Sequence, residues 1–125
     1  MKVSDLILTD EHDTISPDTT LADATRKLLE LPRGVLIVLG EGNQPKGVLA
    51  DAQILRAVAE GRDCSSETCG SHMDSDIMSV DPETDVEDIV KEMHARQPHA
   101  VVAVDGDGQF VGYFSPNDYR EALSG

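Results

Sequence analysis

Pro17-Asp18-Thr19-Thr20-Leu21-Ala22-Asp23 returns 65 residues later as Pro82-Glu83-Thr84-Asp85-Val86-Glu87-Asp88. The correspondence runs from Pro17 to Gln53 and from Pro82 to Asp118. Gln44 and Gly47 reappear as Gln109 and Gly112, while Leu21/Val86, Arg26/Lys91 and Leu28/Met93 keep their character. One folding unit is therefore used twice. Such a pair packs about a pseudo-twofold axis and leaves two related clefts at the seam, an arrangement that suits binding better than chemistry.

Within the first copy, Leu21, Ala24, Thr25, Leu28 and Leu29 fall at helical spacing and predict a helix over 21–31 that Pro32 stops. Thr20 with Asp23 forms its capping box. In the second copy Val86, Ile89, Val90 and Met93 draw the same stripe, and Asp85 with Asp88, or Thr84 with Glu87, supplies the cap. The short apolar runs 35–39 and 100–104 are buried strands by length and branching. Turn-rich stretches at 40–46 and 105–109 lead into strands 47–50 and 110–114, and final helices follow at 52–60 and 116–123. With a leading strand near Thr14 and Ile15, or near Ser79 and Val80, each unit reads β-α-β-β-α. The expected fold class is α/β (α+β), two pseudo-twofold-related repeats packed sheet to sheet.

The polar stretch 61–75 reads as a linker. The division is repeat 1 at 1–62, linker at 63–73 and repeat 2 at 74–125, all in one compact module. Ser4-Asp5-Leu6-Ile7 matches Ser75-Asp76-Ile77-Met78 as a lead-in to each copy, the first lead-in being longer.

A chain of 125 residues, 39% of them hydrophobic, can bury one adequate core. Halves of this size are marginal alone, so the two are expected to share it. The net charge of -14 excludes nonspecific binding to nucleic acid or to an anionic membrane, which need clustered Lys and Arg. Residues 63–125 carry fourteen acids against three bases and residues 1–62 carry ten against seven, so the second half dominates the field. No apolar run reaches the roughly 18 residues of a membrane span, and 1–16 lacks a signal peptide's apolar centre. A cytoplasmic location is expected, and two cysteines do not make a disulfide framework.

The end of the second copy, Gly112-Tyr113-Phe114-Ser115-Pro116-Asn117-Asp118-Tyr119, runs from strand straight into helix. A helix start offers unpaired amides and a positive dipole end to a phosphate or another electron-rich group. Ser115 adds a hydroxyl there, and the Asp118 carboxylate can accept both hydroxyls of a ribose. Ser-x-x-Asp with proline after the serine is also a good capping box, so stability alone accounts for the same residues. The first copy has lost these groups: Ala50 stands at the Ser115 position and Gln53 at the Asp118 position. The two clefts are therefore expected to be unequal.

The repeated unit, the Gly-hydrophobic-hydrophobic-Ser-x-x-Asp ending, the Asp105-Gly106-Asp107-Gly108 hairpin and the Asp76-Ile77-Met78 lead-in together resemble a tandem pair of cystathionine beta-synthase (CBS) domains, the Bateman module. The resemblance covers nearly the whole chain. It implies a regulatory module binding AMP, ADP, ATP or S-adenosylmethionine between the repeats and signalling occupancy to an effector protein. Ser115 would then approach phosphate and Asp118 would hold the ribose, with Tyr113 beside them and Thr14, Ile15, Arg33 and Val35 supplied by the other repeat. Arg33 is the local cation for a phosphate. The degenerate cleft would have Ala50, Gln53, Val80 and His99. The acidic second half disfavours ATP, so AMP or the sulfonium of S-adenosylmethionine is the expected ligand. Members of the family often form disc-like homodimers, and Ile54, Leu55, Val58, Tyr119 and Leu123 could make the seam; a ligand-free dimerisation or interaction module is the alternative.

Cys64, Cys69 and His72, with His12 as a possible fourth group, are looser than zinc-site spacings, and no metal is expected. The Asp105 hairpin lacks the glycine and the terminal glutamate of a calcium loop. With no nucleophile elbow, phosphate loop or His-Glu-x-x-His, nothing points to an enzyme.

Overall fold

The structure, a computed structural model, describes Lys2 and residues 12–31, 34–98 and 100–114. These fall into two compact units: residues 12–31 and 34–75 form the first, and Lys2, 76–98 and 100–114 belong to the second.

In the first unit the order is β1 (His12–Ile15), α1 (Leu21–Leu29), β2 (Val35–Leu39), β3 (Pro45–Leu49), α2 (Asp51–Ala59) and a one-turn α3 (Cys69–His72). The second has β4 (Ile77–Val80), α4 (Val86–Arg96), β5 (Ala100–Val104) and β6 (Phe110–Phe114). Each builds a three-stranded sheet with the middle strand parallel to the leading strand and antiparallel to the last. The mixed α/β architecture expected from the sequence is present.

The duplication holds down to register. His12 faces Val35 and Ile77 faces Ala100; Leu36 faces Leu49 and Val101 faces Phe114, each pair offset by 65. Even the irregularity recurs, between Val38 and Leu39 and again between Ala103 and Val104. Both hairpins close alike: the Gly40 amide donates to Gln44 O at 2.8 Å and the Asp105 amide to Gln109 O at 3.0 Å. Ile77 and Met78 of the second lead-in lie in β4, at the register positions that His12 and Asp13 hold in β1, while Ser4 to Ile7 of the first lead-in lie outside the described residues. Isolated bridges join Lys2 to Asp85 at the start of α4 and Thr68 to Thr20 at the start of α1, which makes Lys2 the counterpart of Thr68.

Strand alternation splits each sheet into two faces. In the first unit Ile15, Leu36, Val38 and Leu49 pack with Leu21 and Ala24 of α1 and Ala57 of α2. In the second, Met78, Val80, Val101, Ala103 and Phe114 pack with Val86 and Ile89 of α4. Each unit thus carries its own helix-facing cluster. The opposite faces, with Ile37 and Val48 in one sheet and Val102 and Tyr113 in the other, are buried too. This explains why the middle strands are apolar throughout rather than alternating.

Thr20 caps α1 as expected, its hydroxyl accepting from the Asp23 amide at 3.2 Å. The counterpart differs: Asp85 is the N-cap of α4 but its side chain makes no capping bond. Helix α1 ends at Leu29, short of the expected Leu31, and α2 begins at Asp51. The stop at Pro32 and the final helix at 116–123 lie outside the described residues.

The stretch 61–75, polar and linker-like in composition, is tied to the first unit. Leu21 and Ala22 donate their amides to Glu67 O (3.0 Å) and Cys64 O (2.9 Å), Cys69 donates to Thr19 O (2.8 Å), and Gly70 to Pro17 O (2.8 Å). Val48 and Asp74 exchange two backbone bonds, each 2.8 Å. The approach is close enough to demand glycine. A methyl group on Gly47 would stand 2.7 Å from Asp74 O and 3.0 Å from Met73 Sδ. Gly47→Ala is therefore expected to lower stability by about 1–3 kcal/mol in denaturant titrations. Gly106→Ala, whose methyl meets nothing within 4 Å, should leave the midpoint in place.

Candidate ligand site

Of the residues singled out as ligand contacts, Thr14, Ile15, Val35 and Tyr113 are described, while Arg33, Ser115, Asp118 and His99 lie outside the described residues. Thr14 stands opposite Ile37 in the β1–β2 register, and Val35 lies two positions before Ile37 on the same strand. Period-two alternation puts Thr14 and Val35 on one face of the sheet, away from the helices. Ile15 points the other way. It is 6% exposed and packs in the helix-facing cluster, so its backbone is what it can offer a ligand. Val80, its repeat counterpart, is committed to the second cluster in the same manner. Tyr113 is buried in β6, opposite Val102, on the face away from α4.

The junction of β3 and α2 shows what this strand-to-helix turn does. Ala50 is the N-cap, in extended conformation, and its amide donates to Gln53 Oε1 at 2.8 Å. This is half a capping box, because alanine has no oxygen with which to reciprocate. Gln53 Oε1, its one acceptor oxygen, is thereby turned to the N-cap with a single lone pair left, and the other end of the side chain is an NH2 group that can only donate. Among the described residues no protein acceptor meets the Asp51 or Ala52 amide. These are the open donors that a helix start presents.

Helix α1 begins differently. Its first two amides are taken by Glu67 and Cys64 carbonyls, and the next two by the Thr20 hydroxyl (3.2 Å) and Thr20 O (3.0 Å). That start is closed to a ligand. Sequence reasoning did not foresee this, because the acceptors come from residues more than forty positions away and act through backbone, which leaves no side-chain signature.

Among the described residues no group of three His, Cys, Asp or Glu is placed to hold an ion. Cys69 is fully buried in the first cluster and its thiol donates to Thr20 O at 3.7 Å, while His72 Nε2 lies 3.3 Å from Glu67 Oε1. Burial, assisted by the negative charge of Asp23, pushes the Cys69 thiol up to about 11 from an ordinary value of 9.0. The unfolded chain loses this proton first, so the stability it represents is intact below pH 9.0 and is lost as pH rises toward about 11. Wild type should accordingly lose more stability than Cys69→Ala across that interval in pH-dependent unfolding. In the native protein a thiol reagent should modify half-buried Cys64 well before Cys69.

Residues 3–60 and 69–125 each match the CBS domain model, and the chain belongs to this family. It is 27% identical, over 98% of its length and 73% of the relative's, to an uncharacterized 17.7 kDa protein of Acidianus ambivalens. It spans only 20% to 54% of several other curated relatives. Among solved structures, the CBS domain protein PAE2072 from Pyrobaculum aerophilum, complexed with AMP, superimposes with a TM-score of 0.77 at 19% identity, covering 100% of both chains. The cytosolic domain of the Mg2+ channel MgtE, in complex with ATP, gives 0.74 at 22% identity, covering 94% of this chain and 47% of that one. Tandem CBS repeats, each a mixed α/β unit with a three-stranded sheet, are thus established. No helix among the described residues is long and apolar enough to cross a membrane.

Proposed function

We propose that the chain is a cytoplasmic, non-catalytic sensor that binds an adenosyl ligand at the strand-to-helix junction after β6 and passes its occupancy to an effector protein. Membership of the CBS family and the AMP and ATP held by two structural neighbours support a nucleotide-binding regulatory module. The observation that carries the assignment to one junction is the Ala50–Gln53 geometry in the duplicate. At the Gln53 position the side chain closes on the N-cap amide through its single, uncharged acceptor oxygen, and its other end is a donor NH2 group. A carboxylate there accepts the same amide with one oxygen and keeps the other, with two lone pairs, for the ribose. Asp118 is that carboxylate and Ser115 is the hydroxyl that Ala50 lacks.

In this reading Arg33 provides the charge for a phosphate, Thr14, Val35 and the Ile15 backbone contribute to the same ligand, and Tyr113 lies beside the base or sugar. The Ala50, Gln53, Val80 and His99 set is the weak counterpart. With fourteen acids and three bases in residues 63–125, the triphosphate of ATP meets more repulsion than AMP or cationic S-adenosylmethionine.

Calorimetric titration of the whole chain with AMP, ATP and S-adenosylmethionine tests the proposal. AMP or S-adenosylmethionine should bind and raise the melting temperature, since a ligand of the native state alone stabilises it. Asp118→Ala should weaken binding by about 10- to 100-fold, the worth of a hydrogen bond to a charged acceptor, and Gln53→Ala should change it far less. Flat traces for all three compounds at millimolar concentration would sink the sensor.

A further inference from the structure

Four large apolar side chains are strongly exposed among the described residues, and three of them, Leu29 (81%), Leu55 (66%) and Val58 (59%), lie on α1 and α2. Leu29, placed on the core stripe by its helical spacing, is in fact the most exposed of all. Single surface leucines need no explanation. These, however, border a groove of about 410 Å³ within the first unit. One wall is Thr25, Leu28 and Leu29 of α1, and the other is Asp51, Ile54 and Leu55 of α2. Val58 extends the second wall, since Asp51, Ile54, Leu55 and Val58 follow the i, i+3, i+4, i+7 spacing of one helix face. A trough between two such stripes has the shape that the apolar face of a third helix fills.

Charge decides which helix. Asp51 is the charged residue of the lining, and among the described residues its carboxylate has no ion-pair or hydrogen-bond partner. The neighbouring cations are spent or turned away: Arg26 is paired with Asp23 and Lys27 with Asp13, and Arg56 falls about 140° round α2 from Asp51. Over the whole chain the net charge of -14 draws in a basic surface and opposes the approach of a second copy. At the matching positions of the second repeat Leu29, Leu31 and Leu55 become His94, Arg96 and Arg120, and Asp51 becomes Pro116. The leucines and the acid are thus particular to the first repeat and are not demanded by the duplicated fold.

We infer that the α1–α2 groove of the first repeat docks a basic amphipathic helix of another protein, its aliphatic stripe against the leucines and a Lys or Arg on Asp51. This gives a chemistry to the effector of the sensor proposal without resting on it, because the groove is present whether or not an adenosyl ligand binds. The probe is a peptide of about 14 residues, four helical turns, with leucines at i, i+3, i+4 and i+7 and lysines elsewhere. Titrated against the full chain at physiological salt and followed by fluorescence anisotropy, it should bind saturably, one peptide per chain. Leu55→Asp and Leu29→Asp, both at exposed sites, should each weaken binding about 30-fold or more, the loss of an interface anchor. Asp51→Asn should weaken it about 2- to 5-fold, as for a partly exposed ion pair, whereas Asp107→Asn, the same charge change at an exposed hairpin of the second unit, should leave it unchanged. Neither a scrambled peptide of the same composition nor one with glutamate in place of lysine should bind. Thermal melts of the variants separate loss of binding from loss of fold, and sedimentation of the chain alone shows whether a second copy occupies the groove. No binding by the basic peptide, equal binding by the scrambled one, or an affinity indifferent to Leu55→Asp would each overturn the inference. A dimer that Leu55→Asp dissociates and the peptide leaves intact would overturn it as well.

Discussion

The amides of the first turn of α1 set the organisation of the first unit. A helix start has four donors without intrahelical partners, and leaving such groups buried and unpaired is expensive. Thr20 satisfies two of them, and the carbonyls of Cys64 and Glu67 satisfy the other two. The segment that composition marks as a connector must therefore dock. Its docking brings Cys69 into the apolar cluster, pairs Asp74 with Val48 and holds Gly70 against Pro17.

The two helix starts of the first unit have opposite chemistry from the same backbone logic. At α1 every early amide is consumed by protein, whereas at α2 the Ala50 amide is closed by Gln53 and, among the described residues, the Asp51 and Ala52 amides have no protein acceptor. A strand ending in a buried sheet delivers the chain to that open start. In sequence the two copies of this junction differ in side-chain chemistry: Gln53 has one acceptor oxygen and a donor NH2 group, whereas Asp118 has two acceptor oxygens.

Much of the fold was legible because the period of apolar residues is a direct consequence of burial. The stripes at Leu21, Ala24 and Leu28 and at Val86, Ile89 and Met93 mark helices, and the continuous runs at 35–39 and 100–104 mark strands covered on both faces. Hairpins followed from Gly, Asn and Asp. The capping of α4 was misread, because Ser, Thr and Asp side chains advertise a cap without stating whether the rotamer that makes it is adopted. Leu29 was misplaced because a stripe of leucines is wider than the one face a neighbouring sheet can cover. The docked segment was invisible, since backbone carbonyls are common to every residue type.

By itself the sequence determined that one unit is used twice, where its main helices and buried strands lie, and that the junctions ending at Gln53 and Asp118 are chemically unequal, all of which depend on side-chain identity at fixed spacing. Tertiary structure alone decided that residues 61–75 belong against α1, that Ile15 and Val80 serve the cores, and that Leu29 and Leu55 stand in solvent. Those outcomes depend on which distant backbone groups and surfaces meet, and local pattern does not encode that.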